Sequence, residues 1–216
     1  SRGMRVESPA GILTARACIL ACGVGYGLQR QLGLELPLLF LHSAQLEADT
    51  SEVSAMVELY LGREMAPEGF GWMVPVRRGE VPRMKVGVAA RGDAEQRLEG
   101  LLATPRMAGR LASPPGIPIR RLLPLMPARR SYGRRVLTVG DAAGLTKPTT
   151  GGGIFYGLLS GLLAAETLTE ALRHDSLEAS DLRAYQGRWR ARLGPHLWMS
   201  SCVRRLFSRL TDRDLD

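Results

Sequence analysis

Two short stretches of this chain carry residue types that chemistry could use. The first is Asp141, which follows Gly140 at the end of the apolar run "RVLTV" and precedes Ala142-Ala143-Gly144. The second begins ten residues further on with Gly151-Gly152-Gly153, then Ile154 and a long helical pattern. A buried strand ending in Gly-Asp sets a carboxylate at the carboxyl edge of a sheet, where α/β proteins bind ligands; such a carboxylate accepts hydrogen bonds from ligand hydroxyls. Three glycines leave the backbone unshielded, and they lead into a helix N-terminus whose free N–H groups and dipole favour negative charge. The spacing predicts a site for a ligand that has hydroxyl groups and an anionic or electron-rich part.

Other chemistries find little support. The cysteines Cys18, Cys22 and Cys202 and the histidines His42, His174 and His196 form no metal-ligand spacing, so no zinc site is expected. An odd, unpatterned set of thiols fits a reducing, cytoplasmic setting. The net charge of +8 comes from 29 basic residues, of which only Lys85 and Lys147 are lysine. Such an arginine skew also follows from genome composition, and no nucleic-acid partner is expected from it. The opening "SRGMRVESPAG" has no apolar core of a signal peptide and reads as a chain entered partway through. Residues 148–165 carry no charge, but the run is short for a membrane span and its first half is rich in Gly, Thr and Pro.

The elements that must position these residues can be read along the chain. "MRVES" and "ILTAR" flank Pro9-Ala10-Gly11 as a hairpin, and "ACILAC" follows as a buried strand. Gly23, Gly25 and Gly27 form a bend before one or two helical turns in "LQRQLGL". From Pro37 to Ala90 the period becomes two, as in "SAMVELYLG", where Val57, Leu59 and Leu61 oppose Met56, Glu58 and Tyr60. "FGWMVPVRR" and "RMKVGVAA" flank a tight connection, giving an antiparallel sheet with one covered face and one that meets solvent or a cavity. A helix over residues 93–112 is interrupted at Pro105. "PPGIPIRRLLPLMPARR" holds five prolines and must be extended, though not as a central strand throughout. "RVLTVG" is a short buried strand, the helix from Gly152 to His174 follows, and a helical region from 179 to 210 is expected to break at Gly194-Pro195. In the first of these helices Gly157, Gly161 and Ala165 predict a seam of close backbone approach, with Leu158, Leu162 and Leu163 buried around it.

The Gly140-Asp141-Ala142-Ala143-Gly144 and Gly151-Gly152-Gly153-Ile154 stretches resemble the second flavin-contacting motif of FAD-dependent oxidoreductases with the glutathione-reductase type of nucleotide fold. Within these the chain is most similar to the geranylgeranyl reductase family, relatives of the aromatic hydroxylases. "ILACGVGYGLQRQLGL" resembles that family's strand, bend and short helix; Cys22 stands where the hydroxylases carry aspartate. "FGWMVPVRRGEVPRMKVGVA" is similar to the family's Tyr-x-Trp-x-Phe-Pro signature, with Phe70 in place of Tyr and Val74 in place of Phe. The family's opening G-x-G-x-x-G is missing; Gly23 to Gly27 lacks its third spacing and follows a different strand.

The resemblance implies an α/β (α+β) chain: the C-terminal part of an FAD-binding domain in 1–36 and 128–178, an inserted antiparallel-sheet substrate domain in 37–127, and C-terminal helices in 179–216. It implies that Gly23, Gly140, Asp141, Gly144, Pro148, Gly151, Gly152, Gly153 and Ile154 contact FAD, and that Trp72 and Pro75 contact substrate. The implied reaction reduces carbon-carbon double bonds of a prenyl chain by hydride from flavin, with NAD(P)H or an electron-transfer protein as reductant. No acid is singled out; Tyr132, His42 and Cys22 qualify by chemistry only. The alternatives are a flavin monooxygenase of hydroxylase or halogenase type, and a noncatalytic membrane-surface protein. Residues 183–210 hold seven arginines and no acid, with Trp189, Leu197, Trp198 and Phe207 among them, a composition suited to peripheral contact with an anionic bilayer at the inner membrane face.

Overall fold

A computed structural model describes residues 3–50, 55–112 and 116–215; Ser54 of the period-two stretch, and Pro114 and Pro115 of the proline-rich stretch, lie outside them. The chain forms two compact units, one from Ser1–Leu39 and Pro124–Cys202, the other from Phe40–Leu123 and Val203–Asp216.

The first unit opens with the expected hairpin, β1 (Met4–Ser8) against β2 (Gly11–Ala15), in register from Met4↔Ala15 to Ser8↔Gly11. Next comes β3 (Cys18–Leu20), which runs parallel to β10 (Val136–Thr138); β9 (Tyr132–Gly133) pairs antiparallel on the far side of β10. The central strand is fully buried, as its β-branched and apolar residues require. In β3 only Leu20 is buried and Ile19 is exposed, because among the described residues the strand pairs on one side only; the expectation of a wholly buried run holds for one residue.

Two helices pack on this sheet: α3 (Ile154–Arg173) and α4 (Ala179–Phe207). Leu182, Tyr185, Trp189, Leu193 and Leu197 recur at three- and four-residue spacing on α4 and enter one core with Leu137, Val139, Leu163 and Leu168. Buried polar groups fix the register. Tyr185 donates to the Thr138 carbonyl at 2.9 Å, Trp189 Nε1 donates to Ser131 Oγ at 2.9 Å, and Gln186 Oε1 accepts from Ser131 N at 3.0 Å. The expected break at Gly194-Pro195 does not occur. Proline removes one backbone donor, but Leu193 and Leu197 on either side of it are locked in the core, and that burial carries the helix through.

The second unit is built on β4 (Leu39–Asp49), β5 (Glu58–Tyr60), β6 (Phe70–Arg78), β7 (Val81–Ala90) and β8 (Ile119–Met126), in the order β5-β6-β7-β4-β8. The pairs β5/β6, β6/β7 and β4/β7 are antiparallel. The β6–β7 hairpin turns on Gly79-Glu80, with Gly79 at φ 63°, as a two-residue turn requires. The proline-containing β8 takes an edge, where a missing donor costs nothing to the ladder.

One sheet face is covered by α2 (Ala94–Leu102), whose N-cap Asp93 accepts from Glu95 N and Gln96 N. Leu98 and Leu101 join Met73, Met84, Val86 and Val88 beneath it. The helix ends at Leu102, ahead of Pro105, and where it was expected to resume only one 3₁₀ turn forms, at Pro105–Met107. On the narrow β5 strand Tyr60 takes the covered side, while Val57, Leu59 and Leu61 are exposed.

Candidate functional site

The loop after β10 is shaped by glycine. Val139 is extended, Gly140 turns at φ 56° into a single 3₁₀ turn (Gly140–Ala143), and Gly144 closes it at φ 70°. A Cβ on Gly144 would lie 2.5 Å from the Met126 carbonyl oxygen and 3.0 Å from Pro127 Cα, so only glycine fits. Gly140 N donates to Ser160 Oγ at 3.0 Å, and a Cβ on Gly140 would stand 3.4 Å from Gly157 Cα, which joins the loop closely to α3. The expected small-residue seam is therefore confined to Gly157. Gly161 has open space around it and Ala165 is exposed. Of the leucines expected to flank the seam, Leu163 is buried but Leu158 and Leu162 face outward, on the side of α3 turned away from the core.

The second glycine stretch wraps back beside the first. Lys147 N donates to the Gly152 carbonyl and Gly151 N to the Lys147 carbonyl, with Gly151 at φ 69°. Helix α3 then begins at Gly153 with no side-chain cap, leaving its first amides without the usual partner. The Asp141 carboxylate lies directly in front of that terminus: a Cβ on Gly153 would come 2.6 Å from Asp141 Oδ1. Among the described residues the Asp141 carboxylate oxygens accept no hydrogen bond, and burial raises this carboxyl above the ordinary aspartate range. Gly152 and Ile154 are exposed, whereas Pro148 is buried within the loop.

A third segment supports this pair. Gly23 takes φ 58° in the bend after β3, which leads into α1 (Gly27–Gln31). Tyr26 OH donates to the Asp141 carbonyl at 3.1 Å, and the fully buried Gln29 donates through Nε2 to the Ala142 carbonyl at 2.8 Å. Burial, then the neighbouring Asp141 and Cys22, push the Tyr26 phenol up. Gly23 and Cys22 stand out in the sequence of this segment, whereas Tyr26 and Gln29 do not. The only signal was a glutamine within an otherwise surface-like helical turn, and nothing local marks it as facing inward.

Asp141, the glycines at 151–153 and, through Tyr26 and Gln29, the segment after the Gly23 bend thus meet in the first unit. The acid candidates do not converge: Cys22 is exposed near Tyr26, Tyr132 packs beside the α3–α4 core under Arg130, and His42 is exposed on β4 of the second unit. Trp72 and Pro75 also belong to the second unit, but three residues apart on one strand they point to opposite faces. Pro75 pairs with the buried Met84 on the α2 side, while Trp72 lies on the other side, so the two cannot line one surface. In 183–210, Trp189 and Leu197 are core residues, not a membrane-facing stripe; Trp198, Met199, Leu206 and Phe207 are exposed. Among the described residues no helix is long and apolar enough to cross a membrane, and no three His, Cys, Asp or Glu side chains gather as metal ligands.

A parallel strand ending in Gly-Asp, a glycine turn and an uncapped helix behind it, joined to an antiparallel sheet unit, define the fold of FAD-dependent reductases and hydroxylases of the glutathione-reductase type. The structure of a geranylgeranyl bacteriochlorophyll reductase-like protein from Thermoplasma acidophilum shares it at a TM-score of 0.84 and 21% identity, over 100% of this chain and 56% of that one. A halogenase in complex with FAD matches 95% of this chain and 47% of its own at a TM-score of 0.65 and 16% identity. By sequence the chain is 31% identical to digeranylgeranylglycerophospholipid reductase 1 of Methanopyrus kandleri, over 99% of this chain and 58% of the relative. In sequence and fold alike the chain is similar to the geranylgeranyl reductase family of FAD-dependent oxidoreductases. It spans little more than half the length of the curated relatives it matches. No protein-family model matches it.

Proposed function

We propose that this chain forms part of an FAD-dependent oxidoreductase that reduces carbon-carbon double bonds in the prenyl chains of a glycerophospholipid. The observation that carries this is the Asp141 carboxylate, free of described donors, set against the uncapped α3 terminus across Gly153. That cradle would fill with a single Cβ, and its donor set suits the cofactor: a carboxylate for sugar-alcohol hydroxyls, and uncapped amides at Gly153 and Ile154 for the electron-rich edge of a ring system, beside Gly152, whose amide makes a long 3.4 Å bond to Thr150 Oγ1. Gly23, Gly140, Gly144 and Gly151 hold the backbone turns that bring these groups together, and the buried Pro148 stiffens the loop between them. When bound, the reduced cofactor supplies the hydride; NAD(P)H or an electron-transfer protein is the reductant in this reading.

Tyr26 and Gln29 hold the Asp141 loop by its carbonyls, which keeps the carboxylate in place without using its oxygens. The helix dipole at Gly153 favours negative charge beside it. A lipid substrate also calls for contact with a bilayer, and the exposed Trp198 and Met199 on a helix rich in arginine offer it.

The test uses the complete natural gene product containing this chain, loaded with FAD and reduced anaerobically with dithionite. Addition of a digeranylgeranyl glycerophospholipid should reoxidise the flavin, and the lipid should gain two hydrogens per double bond by mass spectrometry. Flavin that is reoxidised only by dioxygen, with an oxygenated or halogenated aromatic product, would overturn the reductase reading in favour of a monooxygenase.

A further inference from the structure

One row of the second unit's sheet holds four residues in register: Leu59 on β5, Trp72 on β6, Gly87 on β7 and Gln45 on β4. Residues paired across strands share a face, and this one lies opposite the Met73, Val86 and Val88 face that α2 covers. The Trp72 indole does not stand up from the sheet. Its Nε1 donates to Gln45 Oε1 at 3.1 Å although a whole strand separates β6 from β4, so the ring must cross β7. It can do so only because position 87 is glycine. A Cβ there would lie 2.5 Å from Trp72 Cε2 and 2.9 Å from Nε1.

Gly87 thus clears the floor, and Gln45 supplies the acceptor at the far end. Together they fix the indole plane along the sheet, since a half-buried indole N–H needs a partner and this one has Gln45. Phe70 flanks the indole at 5.7 Å between ring centroids, tilted by 54°, and the exposed Leu59 stands next to Trp72 in the row, on β5. A flat aromatic floor bordered by apolar side chains suits an extended hydrocarbon chain. An upright indole would instead obstruct it.

We propose that Gln45 is a positioning residue that holds Trp72 flat as the surface on which the substrate's prenyl chain lies; the inference rests on the prenyl-reductase reading above. Gln45 touches no reacting atom in this scheme. It acts through the indole.

The test compares Gln45→Leu and Gln45→Glu with the unmodified gene product, reading the Trp72 indole ¹⁵N–¹H resonance, assigned with Trp72→Phe, and steady-state kinetics on the geranylgeranyl lipid. Gln45→Leu should shift the resonance and raise KM about tenfold with kcat changed less than about twofold, the signature of lost uniform binding. Gln45→Glu keeps an acceptor and should stay near the unmodified protein in both readouts. Gly87→Ala should raise KM similarly from the other support. A resonance that does not move would deny the hydrogen bond, and a shifted resonance with unchanged KM would separate the indole from the substrate; either overturns the inference. An unmodified protein inert toward every prenyl chain sinks the reductase reading and the inference with it, whereas an active one indifferent to Gln45→Leu sinks the inference alone.

Discussion

The loop from Gly140 to Ile154 and the row through Trp72 are two differently built candidate sites. The loop is contiguous in sequence, and its working parts are backbone: amides at the α3 terminus, turns at positive φ, one carboxylate. The row draws single residues from four strands, at positions 45, 59, 72 and 87, and its working parts are side chains. A backbone site fails when a side chain intrudes. A sheet row fails when register or a side-chain support is lost, since a slip of one residue moves every member to the other face.

The comparison is broken most severely by Gly144→Ala. The new Cβ meets carbonyl and Cα atoms that cannot swing aside, at a φ that alanine resists. Thermal or denaturant unfolding should show a loss of about 3 kcal/mol.

Gly153→Ala sharpens the contrast. Gly153 has φ −109°, which alanine accepts, and the clash is with the Asp141 carboxylate, which can rotate away. Stability should hardly change, while flavin affinity, followed by quenching of flavin fluorescence, should fall about tenfold or more.

In the second unit, Glu58 is held at a pKa of about 2 by hydrogen bonds from Arg110 and Tyr60, with Arg110 mostly buried. The sign follows from a depressed folded-state value: this stabilisation is present above the ordinary glutamate range and is lost as pH falls toward 2. Glu58→Gln should cost about 1 kcal/mol at neutral pH after allowance for solvent screening, and the difference from the unmodified protein should close on acidification.

The smallest effect is expected from Asp141→Asn, and its sign is the informative part. Burial raises the folded-state carboxyl, so the ionised form opposes folding at neutral pH; the variant should melt slightly higher there, with the gain vanishing as pH drops below the unfolded aspartate range. The same variant should bind flavin more weakly. A stabilising change that harms binding would mark Asp141 as held in place for a ligand rather than for the fold.

Much of the first unit was legible in sequence because its signals are local. The Pro9-Ala10 hairpin, the short strand "VLT" and the two glycine clusters are each written in consecutive residues. Proline misled at position 195, where tertiary burial of Leu193 and Leu197 outweighed a local break. Tryptophan misled at 189, where the arginine-rich context suggested a membrane face; the indole instead satisfies Ser131 inside the core. Pro75 shares a short signature with Trp72, yet period two sends the two to opposite sides.

By itself the sequence determined where the backbone turns, because glycine at 140, 144 and 151 is the residue that reaches those dihedral angles at no cost, and it determined that a carboxylate would stand at the end of a buried strand. Only the tertiary structure decided which side chains meet. That Gln29 reaches Ala142 over a separation of 113 residues, or that Gln45 lies in one row with Trp72 and Gly87, depends on strand order and register, and these are set by the summed burial of two cores and written in no short stretch of chain.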